Sequence, residues 1–128
     1  MSDERFPSME AAPPDGWTMG DVTLTIERPK KKKIPVVAWR RGSLAVHDRI
    51  AVGLREAVIT HAPTGLRIYS FPTREIATEC AEKLETLTDW SAISQKQKIG
   101  SRLFPKVKKI IEEIEARLDH VGSPRGQS

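Results

Sequence analysis

Residues 56–90, EAVITHAPTGLRIYSFPTREIATECAEKLETLTDW, constrain the fold more than any other part of the chain, because they specify a strand, a tight turn, a second strand and a helix without a break. Ala57, Val58, Ile59 and Thr60 favour extended backbone, Ala62-Pro63-Thr64-Gly65 reverses the chain, and Leu66, Arg67, Ile68, Tyr69, Ser70 and Phe71 resume the extended pattern. Pro63 suits the first corner of a type I turn, and Gly65 can take the positive φ of a closing bulge. That geometry predicts Ala62 opposite Leu66, Thr60 opposite Ile68, and Ile59 diagonal or opposite to Tyr69. Val58, Thr60, Leu66 and Ile68 then share one face, and Ile59, His61, Arg67, Tyr69 and Phe71 the other. Past Pro72, Thr73 is a helix N-cap, and Ile76, Ala77, Cys80, Ala81, Leu84 and Leu87 recur at helical spacing. The opposite face, with Glu75, Thr78, Glu79, Glu82, Lys83 and Glu85, is acidic and predicts a surface that repels phosphate.

The rest of the chain reads as additions to this unit. A length of 128 residues suits one domain with a single core. Residues 1–20 hold Pro7, Pro13, Pro14 and Gly16 with few large apolar side chains, which predicts a tail, with Trp17 turning back on the core. The domain proper is expected over residues 21–119. Val22, Leu24 and Ile26 alternate with polar residues as a half-buried strand, and a proline-bracketed basic loop leads to a second strand over residues 36–40. Residues 44–49 alternate as a third, with Leu44, Val46 and Asp48 facing one way and Ala45, His47 and Arg49 the other, while residues 50–55 fit a loop or a strand extension equally. Near the C-terminus, Val107, Ile110, Ile111, Ile114 and Leu118 make an apolar stripe that predicts a second amphipathic helix over residues 105–118, and residues 120–128 read as a second tail. The fold class is therefore α+β: a four- or five-stranded antiparallel meander packed by one helix and followed by a C-terminal helix. Two apolar helix stripes and two potentially apolar sheet faces exceed what one layer buries, which argues for a homodimer.

Composition narrows the function classes. No segment has the roughly 20 apolar residues of a membrane span, and the acidic N-terminus is not a secretory signal, so a cytoplasmic protein is expected. One cysteine forbids an internal disulfide, and Cys80 falls on an apolar stripe, where it reads as core. His47, His61 and His120 have no partners at metal-ligand spacing, and no nucleophile elbow, phosphate-binding glycine loop or Rossmann pattern occurs, so neither cofactor nor enzymatic activity is expected. The net charge of +4 is modest, but the charges are segregated. Residues 28–49 carry eight bases against one acid, and residues 1–21 carry five acids against one Arg.

Two basic clusters follow from that segregation. Lys30, Lys31, Lys32 and Lys33 sit between the first two strands, with Arg40 and Arg41 at the far end of the second; such a loop fits a phosphate backbone, or is a solvated turn that blunts an edge strand. Lys96, Lys98, Arg102, Lys106, Lys108 and Lys109 form the second, with no acid over fourteen residues. Its last three lysines open a helix, against the preference of the macrodipole, so they pair with the glutamates one turn on or serve a partner. Arg67 and Tyr69, beside His61, form a set able to stack bases; the rival reading puts Ile59, Tyr69 and Phe71 beneath the helix, with Arg67 and His61 at its rim.

The motif T-H-x-P-T-G, carried by Thr60, His61, Pro63, Thr64 and Gly65 and continued by a strand, F-P-T and a helix ending near Asp89-Trp90, resembles small accessory proteins of bacteriophages and prophages. That resemblance, over residues 56–90, implies nucleic-acid binders or inhibitors of host enzymes. The order of antiparallel strands followed by a helix is also similar to single-strand binders of the whirly and positive-cofactor-four type. Two functions are expected in turn: a non-catalytic nucleic-acid-binding accessory protein, or a module that binds and regulates a larger host enzyme such as a polymerase or nuclease.

Overall fold

The computed structural model describes residues 5–26, 30–87, 89–92 and 104–127, with side chains of the last segment described for residues 105–117. Five strands, β1 (Thr18–Ile26), β2 (Lys32–Arg41), β3 (Leu44–Ala51), β4 (Leu54–His61) and β5 (Leu66–Phe71), form one antiparallel sheet in chain order. They are followed by helix α1 (Arg74–Glu85), a single 3-10 turn at Trp90–Ala92 and helix α2 (Phe104–Gln127). The residues left open between loop and strand are the end of β3 and the start of β4, joined by a two-residue turn in which Val52 and Gly53 have φ of 52° and 76°. Two successive positive φ values define the turn whose twist matches a hairpin.

Pro35 shapes the sheet. β1 and β2 pair along their whole length, from Thr18 opposite Arg40 to Ile26 opposite Lys32. β2 and β3 pair only where Trp39, Arg40 and Arg41 face Val46, Ala45 and Leu44. Continued, that register would set Pro35 against Ile50, and Pro35 has no N–H to give. The strands part, and the N-terminal segment fills the seam: Arg5 and Ile50 exchange backbone hydrogen bonds of 2.8 and 2.9 Å, Met9 N donates to Val37 O at 2.8 Å, and Val37 N donates to the Ser8 hydroxyl at 3.3 Å. Residues 5–17, part of the stretch expected as a tail, thus lie on the sheet, anchored by the buried Met9 and Trp17. The expected boundary at residue 21 falls inside β1.

Released from β3, the β1–β2 hairpin curls until Thr25 N donates to Gly65 O at 2.8 Å. Gly65 is obligatory there: its φ is +73°, and a Cβ would run into Thr23 O. The curl encloses Val22, Leu24, Val36, Ala38 and Ala45, with Phe6, Ile26, Ile34 and Ala62 at the margin. The other face carries Trp39, Leu44, Val46, Ala57, Ile59 and Phe71 beneath Ala77, Cys80, Ala81 and Leu84 of α1, and the same core extends to Val107, Ile111 and Ile114 of α2. Each large side chain buried here contributes about 1.5–3 kcal/mol. Both apolar faces are covered within one chain, so the premise from which the sequence argues for a homodimer lapses.

Thr73 caps α1 by accepting from Ile76 N at 3.3 Å, and Trp90 closes its other end, donating from Nε1 to Leu84 O at 2.7 Å. The backbone of α2 passes the stop expected at Leu118 and continues through Gly122 and Pro124, whose chemistry gives no reason for it. Among the described residues no helix is long and apolar enough to cross a membrane.

Candidate nucleic-acid interface

The turn at residues 62–65 forms where the sequence puts it, but β5 differs from the expected register. His61 faces Leu66 and Thr60 faces Arg67, whereas Ile59 faces Tyr69; Ile68 is the extra residue of a β-bulge. The bulge turns both Ile68 and Tyr69 toward the helices and leaves Arg67 exposed opposite Thr60, a residue on the other face. His61, Arg67 and Tyr69 therefore do not form one surface. Tyr69 packs edge-on against Phe71 with ring centroids 5.1 Å apart, and its hydroxyl donates to Glu115 of α2 at 2.5 Å, a bond that raises its pKa. Held in this way, Tyr69 is not a stacking platform. His61, expected at a rim, is fully buried: Nε2 donates to Trp90 O at 2.7 Å, and Nδ1 lies 2.9 Å from the Thr64 hydroxyl.

His47 is likewise internal. Its Nδ1 lies 3.2 Å from Asp48 O, which can only accept, so Nδ1 carries the proton and Nε2 accepts from the Thr60 hydroxyl at 2.7 Å. Burial pushes its pKa down. Cys80 is enclosed beneath α1, and burial raises its thiol to about 12, which removes the thiolate a nucleophile needs. Among the described residues no three His, Cys, Asp or Glu side chains gather as metal ligands.

Charges segregated along the sequence are joined in space. The α1 face expected to repel phosphate is engaged: Glu85 accepts from Arg41 Nε at 2.6 Å, Glu82 accepts from Trp17 Nε1 at 2.8 Å, and Glu79 pairs with Arg117. Arg41, expected at the phosphate surface, is thus committed to Glu85, a bond that raises its pKa, and it also donates to Gly16 O. Asp48 is the hub of another group, bonded by Arg74 Nε and Nη2 at 3.0 and 2.6 Å and by Arg55, while Arg74 lies 5.6 Å over the Trp39 ring. Arg49 pairs with Glu56 at 2.6 Å. On α2, Lys108 reaches Glu112 at 3.9 Å, the pairing that its spacing allows, while Lys106 and Lys109 are exposed with no such partner.

Among the described residues, the cations left without a carboxylate concentrate on the β1–β2 hairpin. Lys30, Lys31, Lys32 and Lys33 are all exposed at and beside its tip, and the bond there is from Lys33 Nζ to the Thr25 hydroxyl at 3.1 Å. Arg40, on the same hairpin, bonds only backbone carbonyls. Lys33 and Arg40 both line a cleft of about 400 Å³ between β1 and the β4–β5 turn. Lys96, Lys98 and Arg102 lie outside the described residues. α2 rests on α1, on the side of the sheet opposite the apolar cluster that the curl encloses. Sequence reasoning found the lysines but not the cleft, which depends on a curl that brings β1 to a turn some forty residues away; Pro35 is the signal for it.

No family model, curated protein or solved structure matches the chain.

Proposed function

We propose that this protein is a non-catalytic nucleic-acid-binding protein that holds the phosphate backbone with its β1–β2 hairpin. The observation that supports this reading is the concentration of Lys30, Lys31, Lys32 and Lys33 on one exposed hairpin end with no carboxylate in ion-pair range among the described residues, in a protein whose half-buried arginines otherwise mostly have one. Four like charges held together repel each other, and a polyanion relieves that repulsion while releasing its condensed counterions. Arg40 and the exposed Arg67 extend the same charge toward the β4–β5 turn. Binding of this kind follows the backbone and reads little sequence.

The test replaces all four lysines by Ala and follows binding to labelled oligonucleotides by fluorescence anisotropy. If each lysine meets one phosphate, the wild type should lose about 150-fold in duplex affinity between about 50 and 200 mM salt through these contacts, or about 50-fold on a single strand. The variant should lose this part of the salt dependence. An unchanged salt slope would sink the reading. A module that docks on a larger enzyme is the second reading, favoured by the apolar Val52 and Leu54, which stand 81% and 69% exposed on the β3–β4 turn; it predicts no effect of the lysine variant on nucleic acid.

A further inference from the structure

Four arginines among the described residues are half-buried: Arg40, Arg41, Arg49 and Arg74. Arg41, Arg49 and Arg74 each have a carboxylate oxygen at 2.6 Å, from Glu85, Glu56 and Asp48 respectively. Arg40 does not. Its Nη1 donates to Asp21 O at 2.8 Å and its Nη2 to Gly42 O at 3.1 Å, while its Nε is shut off from water with no acceptor. A guanidinium drawn partly out of water without a counter-charge is unfavourable, and everywhere else at this depth the chain supplies an acid.

The surroundings of Arg40 are built to donate. β1 is an edge strand, and Thr25 N leaves the β1–β2 ladder to reach Gly65 O. By two-residue alternation, the N–H groups of Asp21 and Thr23 also point away from β2, toward the Ala62-Pro63-Thr64 wall of the cleft. Thr23, Arg40 and Lys33 line this one space, with Asp21 as the single carboxylate among the described residues of its walls. Gly20 makes the arrangement fit, because the Arg40 stem crosses β1 there and a Cβ would stand 2.9 Å from Arg40 Cγ.

We propose that the cleft between β1 and the β4–β5 turn seats one phosphate group of a bound nucleic-acid strand, with Arg40 as its counter-charge, Lys33 at its mouth and the outward amides of β1 as neutral donors. This rests on the nucleic-acid reading and adds to it a fixed point at which the strand is held, distinct from the solvated charges of the hairpin tip. Cleft and tip are continuous through Lys33, so a strand lying along the tip passes over the cleft.

Pyrophosphate is the probe that tests the site without the rest of the ligand. In a nitrogen–proton correlation spectrum of the full chain, pyrophosphate should shift the amides of Asp21 and Thr23 and the Arg40 Nε–H signal in a saturable way, and Arg40→Gln should remove the shifts. The same variant should lower oligonucleotide affinity about tenfold, the worth of a hydrogen bond to a charged group. Gly20→Ala, which keeps the charge but displaces the Arg40 stem, should also weaken binding. The wild-type titration needs no variant and stands even if Arg40→Gln fails to fold. Absence of shifts at these groups, or unchanged oligonucleotide affinity in a folded Arg40→Gln protein while the four-lysine variant loses it, would overturn the cleft and leave the hairpin reading intact. Saturable pyrophosphate shifts in a protein that binds no oligonucleotide would overturn nucleic acid as the source of the phosphate.

Discussion

Val52→Asn should make this protein more stable although it deletes an apolar side chain. Val52 occupies the first corner of the β3–β4 turn at φ 52°, followed by Gly53 at 76°. A left-handed conformation costs an ordinary side chain about 1–2 kcal/mol, and a β-branched one is among the least suited to it. Asn tolerates the region, and Asn-Gly is the favoured pair for this turn. Little apolar burial is given up: Val52 is 81% exposed, so the substitution sacrifices about a fifth of a full valine burial, roughly 0.4 kcal/mol. The balance is a gain of about 1 kcal/mol, which for a domain of this size raises Tm by about 3–6 °C. Val52→Gly should gain less, because glycine enlarges the entropy of the unfolded chain by about 0.5–1 kcal/mol. Circular dichroism on heating, with urea melts at unchanged slope, should give the order Asn above Gly above Val. A fall in stability for Asn would show that Val52 is not strained or is packed, and would refute the argument.

The Asp48 hub predicts an asymmetry between its two arginines. Arg74, with its side chain 31% exposed and two bonds to Asp48, should destabilise by about 3 kcal/mol on replacement by Ala because a buried carboxylate loses its main partner. Arg55→Ala, at a side chain 56% exposed, should lose under about 1 kcal/mol in the same urea melts; equal losses would mean that Arg74 is not the main partner. His47 should make the fold acid-sensitive. Its folded pKa lies below the ordinary 6.5, so under about pH 6.5 the unfolded chain binds a proton that the folded chain refuses, and stability falls as pH drops, by at most about 1.4 kcal/mol per unit. Stability measured from about pH 7 to 5 should fall less steeply in His47→Gln than in the wild type, and parallel curves would exclude His47 as a cause.

Strand and helix identity were legible because each element carries its own period: Val22 and Leu24 at spacing two, Ile76, Cys80 and Leu84 at helical spacing, and a capping Thr73 between Pro72 and the helix. What was hidden depends on residues far apart in sequence. A composition of prolines and small residues gave no sign that residues 5–9 would fill a seam between β2 and β3, since the reason lies in the missing N–H of Pro35. The bulge at Ile68 shifts half of β5 by one residue, and period-two reasoning assumes that no such slip occurs. Hence Tyr69 and Arg67, placed together on alternation, part company. Among the candidate cations, adjacency in sequence did not separate Arg40 from Arg41; only the position of Glu85 on α1 does.

The short pairing between β2 and β3 has a mechanical consequence. Three residue pairs, Trp39 to Arg41 against Val46 to Leu44, connect the β1–β2 hairpin to the rest of the sheet; beyond them, Val37 is bonded to Met9 and Ser8 in the seam, and Thr25 is bonded to Gly65 and Thr64 at the far side. The hairpin is thus a lever pivoting on its inner end, latched at two points by a pair of hydrogen bonds each. Swinging it open would break those latches and uncover the apolar cluster that the curl encloses, while the β1–β2 ladder and the helix-covered core stay whole. The lysines ride at the long end of that lever, where a small rotation at Trp39 becomes a large displacement, so in the proposed binding role the grip on a strand would be set by how firmly an N-terminal segment and one glycine turn hold the lever shut.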